Sequence, residues 1–276
     1  MAIITIAREC GTLNPDHEHE FSLGKYGLLL HKKMLDKEFR ERGLDPKKLE
    51  RYDERHPGIF ASLFSGECDR FLHAMKGIIL EAAAQGQCLV VGRGAHILLH
   101  ELPNCLRVRF VAPLDVRVRR VMAWRDCDEP SARRLIQTSD RNRSGFCRFH
   151  FDSDWSDSAN YDLVINMERT SLEEAIQLIE KMVASRQTPE CEAASQRMIQ
   201  DMLLCHRITE EVIIKRNLSI QFFEARMENG AIVLFGATSS GRVCREIGEL
   251  AEAFPGVEKI DNRIQVVGTA MPRHLG

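Results

Sequence analysis

Two short apolar runs, Cys88–Val91 and residues 106–112, each end in residues suited to holding an anion, and this pairing constrains the chain more than any other feature. Both runs are rich in Val, Leu and Phe. Both have the length and composition of strands buried on two faces of a parallel sheet. The first leads into Gly92-Arg93-Gly94, the second into Ala112-Pro113 and an arginine-rich helical stretch over 114–124. In open α/β sheets ligands gather at the carboxyl ends of the strands. Glycines there let a backbone approach a ligand, and guanidinium groups grip phosphate oxygens in pairs. The expected ligand is an anion, a phosphate above all.

The surrounding pattern supports an α/β fold. Residues 3–7 read as a first buried strand and 161–166 as a last one. Between them helices are expected over 23–42, with Leu28, Leu29, Leu35 and Phe39 as an apolar stripe, over 46–52, 68–85 and 131–142. Asp128-Glu129-Pro130-Ser131 opens the last of these, with Pro in the first turn and acids at the positive end. Residues 144–160 read as a polar-aromatic loop. Ser171 and Glu174 form a capping box for a helix over 172–184. Alternating strands and helices predict a parallel sheet with right-handed crossovers. Four strands are clear, and a fifth is sought between 44 and 64.

After a polar stretch at 185–194, read as a linker, the style changes. A helix over 195–216 precedes strands at 219–227 and 231–235, joined through Asn229-Gly230, a strong hairpin signal. An amphipathic helix over 239–254 and a strand over 259–267 complete a small α+β unit. The expected domains are therefore 1–185 and 195–276, within a chain of 276 residues.

Composition narrows the function. A formal net charge of -2 provides no global field for nucleic acid or anionic membrane, so anion binding rests on local arginine clusters. No apolar run reaches the length of a membrane span. The N-terminus enters a strand-like run without a basic leader, and the expected location is cytoplasmic. Nine cysteines show no CxxC spacing, which signals neither zinc nor a redox pair.

The phosphate chemistry is less complete. A nucleotide kinase places a glycine-rich loop after its first strand, with amides and a lysine around the phosphates. Here that strand meets Arg8-Glu9-Cys10-Gly11-Thr12, and no GxxxxGK[ST] follows. Gly24-Lys25 comes later, either as part of an enlarged loop that delivers Lys25 or as the first turn of a surface helix. Asp16-His17-Glu18-His19-Glu20 has metal-ligating residue types but reads first as a solvated loop. Arg148-Phe149-His150-Phe151 and Trp155 can stack on a base or pack a hinge.

In order and spacing, the N-terminal part resembles the cytidylate kinase-like family of P-loop nucleoside monophosphate kinases. The resemblance rests on Ile3-Ile4-Thr5-Ile6-Ala7-Arg8-Glu9 with Gly11-Thr12, Val91-Gly92-Arg93-Gly94-Ala95-His96, and Val108-Arg109-Phe110-Val111-Ala112-Pro113 with Arg117 and Arg120. It continues through Asp140, Arg143, Asp154-Trp155 and Tyr161-Asp162-Leu163-Val164-Ile165-Asn166. It implies a P-loop kinase sheet, ATP and Mg²⁺ carried on nucleotide phosphates, and transfer from ATP to CMP or dCMP. Arg8, Gly11, Thr12, Lys25, Gly92, Arg93, Gly94, Arg117, Arg120 and Asp140 would bind nucleotide or phosphate. Arg141 and Arg143 would close on the transferred group from a lid. No dedicated metal site is implied.

The first loop departs from the family pattern, since Leu13-Asn14-Pro15 and an insertion replace its glycines. A nucleotide-responsive regulatory protein on the same fold is therefore the alternative to an enzyme. The C-terminal unit resembles a BON domain through residues 229–236 and Pro255-Gly256-Val257 with Ile260-Asp261-Asn262. That resemblance implies a ligand or a homo-oligomer through this unit. A scaffold in which it is the working part is a third reading.

Overall fold

The computed structural model describes residues 2–14, 28–46 and 66–267. The chain divides into two compact units, Met1–Arg197 and Met198–Gly276.

The first unit is built on five parallel strands in the order β2-β3-β1-β4-β5. These are β1 (Ile3–Arg8), β2 (Leu28–Leu30), β3 (Cys88–Val91), β4 (Cys105–Val111) and β5 (Leu163–Asn166). Central β1 pairs with β3, Ile6 opposite Val91, and with β4, Ala7 opposite Arg109. All three strands therefore deliver their carboxyl ends to one edge. Ile4, Ile6, Leu89, Leu106, Val108, Phe110 and Ile165 pack against Ala175, Ile179 and Val183 of a helix on one face. Full burial of side chains of this size stabilises by about 2 kcal/mol each. The sheet with flanking helices is the architecture expected from the sequence.

Its fifth strand was sought in the wrong place. Residues 28–30 form β2, paired with Cys88–Val90, so within the helix expected over 23–42 the described residues place a strand before α1 (Lys32–Glu41), while 23–27 lie outside them. A Leu-Leu-Leu run fits helical and extended periods alike, and pairing with β3 decides between them. His31 sets the helix start, its Nδ1 accepting from the Met34 amide at 3.3 Å. Residues 47–65, with most of the helix expected at 46–52, lie outside the described residues.

The next helices are α2 (Gly66–Ala84), the single-turn α3 (Ala95–Leu98) and α4 (Leu114–Arg125). The loop expected at 144–160 is half helix. Asp128 caps α5 (Glu129–Phe151), which runs unbroken to a left-handed Asp152. Aromatic and basic side chains in 146–151 do not interrupt a helix that packs along its length. A 3-10 turn at Ser158–Asn160 then leads to β5. The expected linker is also nearly all helix. The helix α6 (Leu172–Arg186), opened by the Ser171–Glu174 capping box, is separated from α7 (Pro189–Thr209) by Gln187 and Thr188 alone. Pro189 starts α7 rather than breaking a helix, as suits a first-turn proline.

In the second unit, α7 continues into a π-helical segment, Glu210–Lys215. A hairpin of β6 (Gln221–Glu228) and β7 (Ala231–Thr238) follows, turning through Asn229 and Gly230 at positive φ. The helix α8 (Gly241–Glu252) buries Ile247 and Ala251, and the Ser240 hydroxyl accepts from the Val243 amide at 3.4 Å. The single last strand expected is two, β8 (Ile260–Asn262) and β9 (Gln265–Val266), both parallel to β7. Arg263 and Ile264 separate them.

Candidate functional site at the carboxyl edge of the sheet

Beyond β3 the chain makes an unusual turn. Gly92, Arg93 and Gly94 all have left-handed backbones, with φ of 77°, 60° and 69°. Glycine adopts this conformation freely, whereas Arg93 does so at a cost of order 1 kcal/mol. The turn is fixed at both ends. The Gly92 amide donates to the Ile6 carbonyl at 2.8 Å, and the Ala95 amide donates to the Gly92 carbonyl at 3.2 Å. Gly94 lies under the Phe151 ring at the end of α5, so close that a Cβ there would collide with the ring.

Beyond β1 lies the loop Arg8-Glu9-Cys10-Gly11-Thr12. The Glu9 amide donates to the Phe110 carbonyl at 3.1 Å, so the loop starts as an extension of the β1–β4 pairing. The Glu9 carboxylate accepts from the Ala112 amide at 3.2 Å. Arg109 reaches it at 3.5 Å and Arg117 at 3.4 Å. Thr12 is buried, and its hydroxyl donates to the Glu9 carbonyl at 2.8 Å.

The α4 arginines expected to reach phosphate hold this loop in place. Arg117 donates to the Ala112 carbonyl at 3.0 Å, the Cys10 carbonyl at 3.2 Å and the Asp140 carboxylate at 2.6 Å. Arg120 donates to the Thr12 carbonyl at 2.8 Å and the Met167 carbonyl at 2.7 Å. From α5, Arg143 donates to the Arg8 carbonyl at 2.6 Å and lies 3.6 Å from Asp140. Asp140 in turn accepts from the Cys10 amide at 2.8 Å. The structure thus brings Arg8, Gly11, Thr12, Arg117, Arg120, Asp140 and Arg143 together around one loop, while Gly92, Arg93 and Gly94 flank it across the β1–β3 pair. Arg141 is exposed on α5. Lys25 and the 16–20 run lie outside the described residues.

Sequence reading gave no role to Glu9 or Arg109. Arg109 is 5% exposed, donates to the Trp155 carbonyl, and lies 4.4 Å from the Trp155 ring and 5.4 Å from the Tyr161 ring. An arginine inside an otherwise apolar strand was the available signal, because arginines are almost never fully buried unpaired. Trp155 thus packs against a buried guanidinium. Nearby, the Tyr161 hydroxyl donates to the Trp155 carbonyl at 2.8 Å and lies 3.2 Å from His96 Nε2. The hydroxyl proton is already given to Trp155, so this network assigns the imidazole proton to Nε2. Burial, with the charges of Arg107 and Arg109, pushes the His96 pKa down to about 4. Burial likewise raises that of Tyr161.

The guanidinium groups gathered around the 8–12 loop have the donor chemistry that suits a phosphate. They do not form a metal site. No group of three His, Cys, Asp or Glu side chains that could hold a metal occurs among the described residues, and the Thr12 hydroxyl is turned inward.

Comparison with known proteins agrees with the fold and the order of these elements. A solved structure of an uncharacterized protein from Eubacterium ventriosum matches 67% of this chain and 100% of its own, with a TM-score of 0.51 and 22% identity, a likeness of fold. The cytidylate kinase of Methanopyrus kandleri is 28% identical over 151 residues, 52% of this chain and 72% of that enzyme. A uronate isomerase of Corynebacterium glutamicum is 30% identical over 108 residues, 39% of this chain but only 21% of that protein. The profile of the cytidylate kinase-like family matches residues 3–169, from the start of β1 to just beyond β5. The chain belongs to the cytidylate kinase-like family.

Proposed function

We propose that the protein is a nucleoside monophosphate kinase that transfers the terminal phosphoryl group of ATP to CMP or dCMP. An oxygen of the acceptor monophosphate bonds to the γ-phosphorus as the bond from that phosphorus to the β-phosphate oxygen breaks, leaving ADP and the diphosphate. Such transfer depends on positioning and charge neutralisation rather than on covalent help from the protein. The observation that carries the reading is the convergence, at one sheet edge, of the Gly92-Arg93-Gly94 turn, the 8–12 loop and Arg143. In this reading Arg93 receives the acceptor phosphate. Arg8, Gly11, Thr12 and Lys25 shape the ATP side, with Mg²⁺ held by its phosphates. Arg117, Arg120 and Asp140 organise the loop, and Arg141 and Arg143 face the transferred group. Cytoplasmic nucleotide pools would supply the substrates.

One observation favours a second reading, a nucleotide-responsive regulatory protein with impaired transfer. The Cys10 amide, in the loop where a kinase offers amides to ATP, is taken by Asp140. The unit from 195 to 276, read as BON-like, would then carry the response through a ligand or self-association. Calorimetric titration with CMP and with Mg–ATP, followed by a coupled assay for ADP, separates the two. The kinase reading expects both to bind and ADP to appear, with turnover lost in Arg93→Ala. CMP binding without ATP binding or turnover supports the regulatory reading.

A further inference from the structure

Asp140 holds the groups that an incoming phosphate needs. One carboxylate oxygen accepts from the Cys10 amide at 2.8 Å, and the other accepts from Arg117 at 2.6 Å. Arg143 lies 3.6 Å from the first. A backbone amide in a loop beyond a strand, with two guanidinium groups beside it, is an anion-binding arrangement, and here its anion belongs to the chain itself. The same helix closes the neighbouring position, because Phe151 lies over Gly94 with no room for even a methyl group between them. Asp140 and Phe151 are eleven positions apart on one continuous helix, α5.

We propose that Asp140 is a displaceable internal anion. It shuts the phosphate loop when no nucleotide is bound and is expelled by a phosphate group of the incoming ligand. This inference rests on the nucleotide-binding reading of the site and adds its regulation. A phosphate brings more charge and more acceptor oxygens than a carboxylate, so it competes for the same donors. Apparent affinity is then the intrinsic affinity multiplied by the small fraction of molecules whose Asp140 has left. Removing the charge while keeping the shape enlarges that fraction.

The test uses the full chain and inorganic pyrophosphate, which engages the loop without the base or ribose. Calorimetry compares wild type, Asp140→Asn and Asp140→Ala, and mass spectrometry follows amide exchange across residues 9–13. Asp140→Asn is expected to bind pyrophosphate about tenfold tighter than wild type, the effect of one charged hydrogen bond, with faster exchange at Cys10. Affinity unchanged or weaker in both variants overturns the proposal, as does a failure of all three proteins to bind pyrophosphate. Should the variants unfold, the wild type decides. Saturating pyrophosphate must shift the amide resonance of Cys10, and a resonance that stays in place overturns the proposal. The two claims fail separately. CMP binding without pyrophosphate binding rejects the internal anion and leaves the nucleotide reading standing. Pyrophosphate binding tightened in Asp140→Asn, without CMP binding or turnover, does the reverse.

Discussion

Gly11 is packed against Arg117 so tightly that a Cβ on Gly11 would stand 2.9 Å from the Arg117 Cβ and 2.9 Å from its carbonyl oxygen. Gly11 also has φ of +88°. Gly11→Ala therefore meets backbone strain and a collision with main chain that cannot rotate away. It should cost about 3 kcal/mol and displace the 8–12 loop, read by urea unfolding and by loss of nucleotide binding. Gly43 is the control, since its φ is +72° but a Cβ there meets nothing within 4 Å. Gly43→Ala should cost only about 1 kcal/mol and leave binding intact.

Gly94→Ala should destabilise by about 2 kcal/mol, and Phe151→Ala by a similar amount. In the double variant the Cβ of residue 94 enters space vacated by the ring, so the combined cost should fall short of the sum by about 1 kcal/mol. Strict additivity in a double-mutant cycle would show that the two do not press on each other.

Two imidazoles make the fold acid-sensitive. Burial is the largest cause for both. With the charges of Arg107 and Arg109 it holds His96 near pKa 4, and with those of Lys76 and Arg42 it holds His73 near pKa 4. A free imidazole titrates near ~6.5, so between about pH 6.5 and 4 the unfolded chain takes up protons that the folded chain refuses. Stability should accordingly decline as pH falls through that window, by up to about 3 kcal/mol for His96. His96→Gln should flatten the slope of stability against pH in that window, leaving the share of His73.

Asp162 acts at the other end of the sheet. Burial alone would raise its pKa, but hydrogen bonds from Arg107 and Arg186 outweigh this and hold it well below the usual carboxylate range. Its stabilisation is fully present above about pH 4, the unfolded value, and is lost as pH falls towards the depressed folded value. Asp162→Asn should cost about 2 kcal/mol at neutral pH, because Arg107 and Arg186 lose their shared partner. CMP affinity, set at the opposite edge, should not change.

Thr5 lies in the middle of β1 at 1% exposure, and its hydroxyl has no hydrogen-bond partner among the described residues. Thr5→Val removes a buried orphan at almost constant shape. It should be neutral or stabilising by about 1 kcal/mol in thermal unfolding, and a loss of stability would show that the hydroxyl has a partner.

The parts of the fold that declared themselves in the sequence are those where one physical requirement acts alone. Cys88–Val91 was legible as a buried strand because Gly92 and Gly94 close a short Val-rich run, and Ser171 with Glu174 was legible as a helix start. Residues 28–30 were misread because their partner, β3, is distant in sequence and sets their conformation from outside. The carboxyl half of α5 was misread because polar aromatic composition says little about whether a helix continues. At the site, residue types and positions were legible, but partners were not. Nothing local in Arg117 or Arg120 tells whether a guanidinium faces solvent or turns back onto the carbonyls of Cys10 and Thr12. The burial of Arg109 between two rings likewise required the 155–161 segment to fold over it.

Because α5 is one uninterrupted helix, the eleven steps from Asp140 to Phe151 act as a ruler about 16 Å long. A rigid ruler cannot be lifted at one mark and kept down at the other. A release of the loop beyond β1 that lifts this helix would also loosen the turn beyond β3, and occupancy on either side would then lower the work of filling the other. Two substrates entering such a site would favour each other's binding, each keeping a defined affinity when it binds alone.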